Sequence, residues 1–296
     1  MQVKVKIGIL LGIIAASLWG IGGTLGQFLF ENRNINVEWL ITLRLLISGI
    51  GLLIIAVGNG NDIFSIWKNK HDAIQLLIFS VIGMLGVQYT YFAAIKHSNA
   101  ATATVLQFAG PILIAVYLAI KNKKLPNKSE AIAILLAVTG TFLLVTHASL
   151  EKLSISGIAL FFGIASAVTL AFYTLQPKNL LEKYKSAAVV GWGMLVGGLV
   201  FSFVKPPWQV EGIWDIYTWS IVAFIIIFGT LIAFYSYLSA VKIIGGQKTS
   251  LLASSEPLVA VILSVLWLNT PFALVDWIGT LCIISTVFLM TRKNKT

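Results

Sequence analysis

Charge is what this sequence has least of. Only 11% of its 296 residues are Asp, Glu, Lys or Arg, while 58% are hydrophobic and the mean hydropathy is +0.91. A soluble domain carries roughly 25% charged residues, so a water-soluble globule is excluded. Cysteine is almost absent. Cys282 stands alone, which rules out an intramolecular disulfide and a cysteine metal cluster. His71 and His97 fall in expected loops and His147 at the end of an apolar run, without an obvious metal cluster, so neither metal nor cofactor is expected. There is no P-loop, no H-E-x-x-H and no nucleophile elbow. The sequence therefore reads as no enzyme and, without an ATP-binding domain, as no primary pump by itself. A charged ring or repeated carbonyl filter, the mark of a channel, is missing too. The net charge of +10 would suit nucleic acid, but the lysines sit in short loops between apolar runs. They read as topology determinants instead.

What is present is a succession of apolar runs of about 20 residues, the length a helix needs to cross a bilayer. Barrel strands would be about ten residues and alternating. Ten spans are expected, at 7–30, 36–58, 72–95, 99–120, 129–147, 155–176, 186–204, 216–240, 247–268 and 273–291. Gly58-Asn-Gly60, Pro126, Pro206-Pro207 and Thr270-Pro271 punctuate the joins. The first run follows Lys4 and Lys6 as a signal peptide would. It is too long for an h-region and lacks a small-x-small cleavage site, so a retained helix is expected.

Lysine and arginine are unevenly shared. One side collects Lys4, Lys6, Lys68, Lys70, Lys121, Lys123, Lys124, Lys128, Lys178, Lys183, Lys185, Lys242, Lys248, Arg292, Lys293 and Lys295. The other has only Arg33, Lys96, Lys152 and Lys205. Both termini are therefore expected in the cytoplasm of a multi-pass plasma-membrane protein. Trp39, Trp67, Trp208, Trp214, Trp219, Trp267 and Trp277 fall near span ends, as an interfacial belt would.

The chain also repeats itself. Shifted by 146 residues, Gly83, Tyr89, Tyr91, Ala94, Lys96 and Pro111 fall on Gly229, Tyr235, Tyr237, Ala240, Lys242 and Pro257. Shifted by 149, Ser17, Gly20, Thr24 and Gln27 fall on Ser166, Thr169, Tyr173 and Gln176. The halves are 1–150 and 151–296, each with five spans. An odd number makes the second copy enter from the opposite side. The expected fold is thus all-α and integral to the membrane: two inverted-topology five-helix repeats around a central cavity, the arrangement of many alternating-access transporters. A duplicated membrane protein that moves nothing is the plainer alternative.

Candidate site residues cluster in spans 4 and 9. In Thr249–Ser264, the face holding Ser250, Ala253, Glu256 and Pro257 is small or polar within an apolar run. Its counterpart in span 4 carries Gln107, Gly110 and Pro111, so each half offers one hydrogen-bonding residue beside a proline that frees a carbonyl and can act as a hinge. Glu256 has two readings. It is a protonated structural contact, or it faces a watery cavity, a cationic substrate group or a coupling proton; ionised and unpaired at the bilayer centre it costs about 2.5–3.5 kcal/mol. Arg44, in LRLLISG, either snorkels to the outer interface or lines the cavity and pairs with a carboxylate. Of Tyr89/Tyr91 and Tyr235/Tyr237, two residues apart and diverging by about 160°, at most one per pair lines a cavity; Tyr89 and Tyr235 are the selected candidates. Trp19, Thr24 and Tyr173 lie on the span-1 and span-6 polar faces, which are cavity lining or helix packing. Gly191, Gly193, Gly197 and Gly198 are close-packing or hinge positions.

Trp19-Gly20 in span 1, LRLLISG in span 2, the A-x-K ends of spans 3 and 8 and S-E-P-L-V-A in span 9 together resemble the EamA-domain transporters of the drug/metabolite transporter superfamily, across essentially the whole chain. The resemblance implies a basket of spans 1–4 and 6–9 around a cavity, with spans 5 and 10 outside. It also implies secondary transport, most often export of amino acids or other small metabolites. The expected function is a secondary exporter of a small polar, amino-acid-like metabolite. Transport of organic cations or drugs is one alternative, and a non-transporting scaffold or receptor is another. The expected partners are a small-molecule substrate and the lipid bilayer, and the sequence is compatible with a homodimer and with proton coupling.

Overall fold

The computed structural model describes residues 2–121, 155–253 and 256–291, with isolated residues between 123 and 143. Most of the fifth expected span, 129–147, lies outside the described residues, as do Ser254, Ser255 and the C-terminal Arg292, Lys293 and Lys295. Every described element is helical. In chain order they are α1 (Gln2–Asn32), α2 (Val37–Gly58), α3 (Lys70–His97) and α4 (Ala100–Gln107). Next come α5 (Gly110–Lys121), α6 (Gly157–Leu175), α7 (Lys178–Lys183) and α8 (Ser186–Phe201). The last are α9 (Ile216–Ile244), α10 (Gly246–Leu252), α11 (Glu256–Leu266) and α12 (Leu274–Thr291).

Among the described residues, six stretches are long and apolar enough to cross a membrane: α1, α2, α3, α4 with α5, α6 with α7, and α9. The helices α8 and α11 are shorter and apolar. The chain is a multi-pass membrane protein.

Two kinds of irregularity interrupt the helices. Pro111 has no N–H and its ring crowds the carbonyl four residues back, that of Gln107. Accordingly α4 stops at Gln107 and α5 restarts at Gly110, where proline is welcome in the first turn. Pro257 separates α10 from α11 in the same way. The second irregularity is a π-helical stretch, Phe79–Leu85 in α3 and Ile227–Ile232 in α9. Such stretches shift the hydrogen-bond register and release carbonyls. In α9, the freed carbonyls of Ile225 and Ile226 accept from Thr230 Oγ1 (2.7 Å) and Ser48 Oγ (2.9 Å).

Packing is tightest between α2 and α8, as the glycines of span 7 suggest. A Cβ on Gly49 would stand 2.5 Å from the Leu195 nitrogen, and one on Gly198 3.0 Å from Leu46. Only small residues let two backbones approach so closely. Besides this seam, α1 lies along the second part of α9, and α6 along the second part of α3. At one end of the bundle the connections 33–36 and 202–215 meet. There Ile213 N donates to Arg33 O (2.8 Å), Trp39 Nε1 donates to Pro207 O (2.8 Å), and Arg33 pairs with Asp215 (3.2 Å). At the opposite end Lys183 Nζ and Tyr184 Oη both donate to Asp72 (2.9 Å each), and Trp192 Nε1 donates to Ile63 O (2.7 Å).

Candidate functional site

The end of α4, the start of α11 and the π-helical stretch of α9 converge on one interior cavity, which α1, α2, α3 and α6 complete. Three of the four irregularities therefore lie where main-chain groups and polar side chains face an interior space, the setting in which broken backbone is tolerated at membrane depth.

Arg44 enters the cavity from α2 and is only 2% exposed. Its Nε donates to Thr230 Oγ1 at 2.7 Å and its Nη2 to the carbonyl of Gly229 at 3.2 Å. The guanidinium stacks over Phe92, 4.5 Å from the ring centre. A planar, delocalised cation suits such a site better than an ammonium would. Its Nη1 has no partner among the described residues.

Glu256 is the first residue of α11 and is buried, at a helix N-terminus, where negative charge is favoured. The Tyr91 hydroxyl bonds Thr104 Oγ1 (2.7 Å) and interacts electrostatically with the Glu256 carboxyl. Tyr91 also interacts electrostatically with Arg44, yet no ion pair within 4 Å joins Arg44 to Glu256. The two buried ionisable groups thus share a cavity with a tyrosine that interacts with both.

Three further side chains in the lining carry polar atoms without a partner among the described residues: Trp19 Nε1, both amide atoms of Gln88, and the Tyr173 hydroxyl. Aromatic rings surround them, with Trp19 4.9 Å from Phe234 and 5.0 Å from Tyr237, and Tyr173 5.6 Å from both. The Tyr237 hydroxyl is already engaged by Thr174 (2.9 Å). Glycines on α1 make room for these groups. A Cβ on Gly23 would stand 2.3 Å from the Tyr91 hydroxyl, and one on Gly20 2.8 Å from the Glu256 carbonyl. The free volume is small, about 30 Å³, or about two water molecules at ~15 Å³ each.

Of the residues selected from sequence, Trp19, Arg44, Gln107, Tyr173 and Glu256 line this cavity together. Arg44 is buried, so the snorkelling alternative is overturned. The tyrosine selection is corrected as well. Tyr235 is 40% exposed on the bundle's exterior, and Tyr89 packs between Phe162 and Phe201. Their neighbours face inward instead: Tyr91 lines the cavity and Tyr237 is fully buried against Trp19. Thr24 donates to Gly20 O (3.0 Å) and Ser250 is buried within α10; neither lines the cavity. Gly110 packs on Leu170, and Pro111 and Pro257 stand at the helix breaks. Gln88 was missed. It lies one helical turn before Tyr91, on the same face, but its counterpart 146 residues on is Phe234, so the search for matched polar positions passed over it.

The family model described as "EamA-like transporter family" matches residues 6–146 and 157–292. A Salmonella typhimurium protein named "Uncharacterized inner membrane transporter YicL" is 43% identical, covering 97% of this chain and 96% of its own length. Two Bacillus subtilis proteins, the uncharacterized transporters YetK and YyaM, are 26% and 25% identical. They cover 99% and 73% of this chain and 89% and 72% of their own. A solved crystal structure with 17% sequence identity superposes with a TM-score of 0.70 over 96% of this chain and 97% of its own, so the fold is shared.

Proposed function

Because the chain belongs to the EamA-like transporter family, we propose that it is a secondary transporter of the inner (cytoplasmic) membrane that exports a small polar, amino-acid-like metabolite by alternating access. The observation that carries this reading is the buried cavity between two proline-broken spans, with polar groups from both halves turned into it. The ten-span, inverted-repeat arrangement draws support from the paired breaks, the paired π-helical stretches, and the way α1 on α9 is matched by α6 on α3. Alternating access would load the cavity by parting its walls on one side at a time. Glu256 takes the substrate's amine or a coupling proton, while Gln107 and Tyr91 help to orient the solute. Gly110, Pro111 and Pro257 allow the broken spans to bend. Both termini face the cytoplasm.

Counterflow in proteoliposomes, preceded by a binding screen of purified protein against metabolites, tests this reading. Glu256→Gln, expressed normally, is expected to lose transport or its pH dependence. Wild-type rates at every pH would overturn the role of Glu256.

A second reading, transport of an organic cation or drug, is favoured by the aromatic box of Trp19, Tyr173, Phe234 and Tyr237 next to a buried acid. Uptake of quaternary amines in preference to zwitterions would select it. No counterflow for any solute in a broad panel would favour a non-transporting scaffold.

A further inference from the structure

The geometry points to a carboxylate-binding subsite formed by Arg44, Trp19, Gln88 and Tyr173, so that the solute is recognised by its carboxylate. This rests on the transporter reading for its biological use, but not for its chemistry.

Buried polar atoms are rarely left without partners, and each such case wants a reason. Here atoms of four side chains, unpaired among the described residues, gather at one cavity: the Nη1 of a guanidinium, an indole N–H, a carboxamide and a phenol hydroxyl. All four side chains can donate a hydrogen bond, and one is a permanent cation. Arg44 is fixed on its other edge by Thr230 and Gly229 and from above by Phe92. It offers one preset donor and an unneutralised charge to whatever enters. Among the described residues no carboxylate lies within 4 Å of it. Glu256, the acid of the cavity, keeps apart and is engaged by Tyr91. An oxyanion is the ligand chemistry that answers such a donor set, and the confined space admits a flat carboxylate before any bulkier anion.

Removing an unpaired buried polar group should steady a protein, not weaken it. Gln88→Met and Tyr173→Phe keep the volume and delete the orphaned atoms. They are expected to raise the midpoint of thermal inactivation of the ligand-free, purified protein. The same variants should bind carboxylates more weakly, a combination that a merely structural role would not produce.

The experiment uses acetate and glycine as probes, with acetamide and glycinamide as their uncharged-end counterparts. Binding is read from the concentration-dependent rise in thermal midpoint of the full-length protein in detergent. Wild type should respond to both carboxylates saturably and at least ~10-fold more weakly to the amides, as the loss of one charge-assisted bond predicts. Arg44→Lys should weaken the carboxylate response, and Arg44→Gln should abolish it. Should Arg44→Gln fail to fold, Gln88→Met and Trp19→Phe still decide, with an expected ~3–10-fold loss of carboxylate affinity. Equal responses to acid and amide, or unchanged affinity in Gln88→Met and Trp19→Phe, overturn the subsite. Counterflow separates this result from the transporter reading. Carboxylate binding without movement of any solute sinks transport and keeps the subsite, whereas equal transport of glycine and glycinamide sinks the subsite and keeps transport.

Discussion

The two broken spans, α4 with α5 and α10 with α11, are built on the same plan and finished differently. Both are cut at or beside the position aligned with Gln107, four residues ahead of a proline, and both restart one residue before that proline. The first is tied at its start. Asn99 accepts from Thr102 N (2.8 Å), and Gln27 on α1 accepts from the buried Ala100 N (2.9 Å). The second starts after Gly245, whose φ of 85° and ψ of 154° suit glycine almost alone. At the break the first span offers the Gln107 amide, with Gly110 packed on Leu170, while the second places the Glu256 carboxyl. One copy is furnished for holding still. The other carries the acid and a joint that turns on a glycine.

The largest effect that would break this contrast comes from the acid. Glu256→Gln should lower transport by ~10–100-fold, the equivalent of about 1.5–3 kcal/mol for a charge-assisted contact, whereas Gln107→Leu should cost less than ~10-fold. Proteoliposome rates over a pH series check this, and equal losses would erase the functional difference between the spans. Next comes the joint. Gly245→Ala should destabilise by ~1–3 kcal/mol although a new Cβ there meets nothing within 4 Å; a wild-type inactivation temperature would refute the conformational argument. Of about the same size or slightly smaller, Gln27→Leu leaves the Ala100 N–H unpaired, for ~1–2 kcal/mol. Faster cysteine labelling at the first turn of α4, in a Cys282→Ser background, reads it out, and unchanged labelling would show that the tie holds nothing.

The smallest effect lies at the caps of α3 and α9, Asn69 and Asp215, which stand 146 residues apart. Asn69 accepts from His71 N and Asp72 N, and Asp215 from Thr218 N (2.7 Å). The Thr218 N–H above all, with Arg33 further down the order of causes, holds the Asp215 carboxyl below its ordinary value. The unfolded chain therefore takes up a proton first as pH falls. Its contribution is whole above about pH 5 and fades as pH drops below about 4. Asp215→Asn, which matches the cap of the first half, should move the inactivation temperature by no more than ~2 °C, and only above that window. A larger shift, or one that persists at low pH, would mean that the two caps are not equivalent.

Much of the fold was legible because bilayers impose it. Span length, the proline breaks and the halves' common order all follow from apolar runs and a fixed offset, and they led to Gln107 and Glu256. Arg44 stood out because a cation inside an apolar run is costly wherever it lies. The tyrosines were misassigned because spacing says only that two residues diverge, not which one turns inward. That choice depends on the rotation of α3 and α9, set by helices far away in sequence. The π-helical stretches left no composition signal, although the one in α9 holds Arg44 through the Gly229 carbonyl and the Thr230 hydroxyl. Gln88 was hidden by the repeat itself, since matching halves draws attention to what they share.

The glycine seam between α2 and α8 bears on how such a molecule does work. With backbones this close, α2 and α8 should move as one body, while Arg44 of that body reaches across to Thr230 and Gly229 of α9. If the proposed transport holds, a solute that gripped this body alone would bind the inward- and outward-open forms equally well and would bias neither, however tightly it held. Occupancy would then turn into motion only through contacts with helices that change place against that pair.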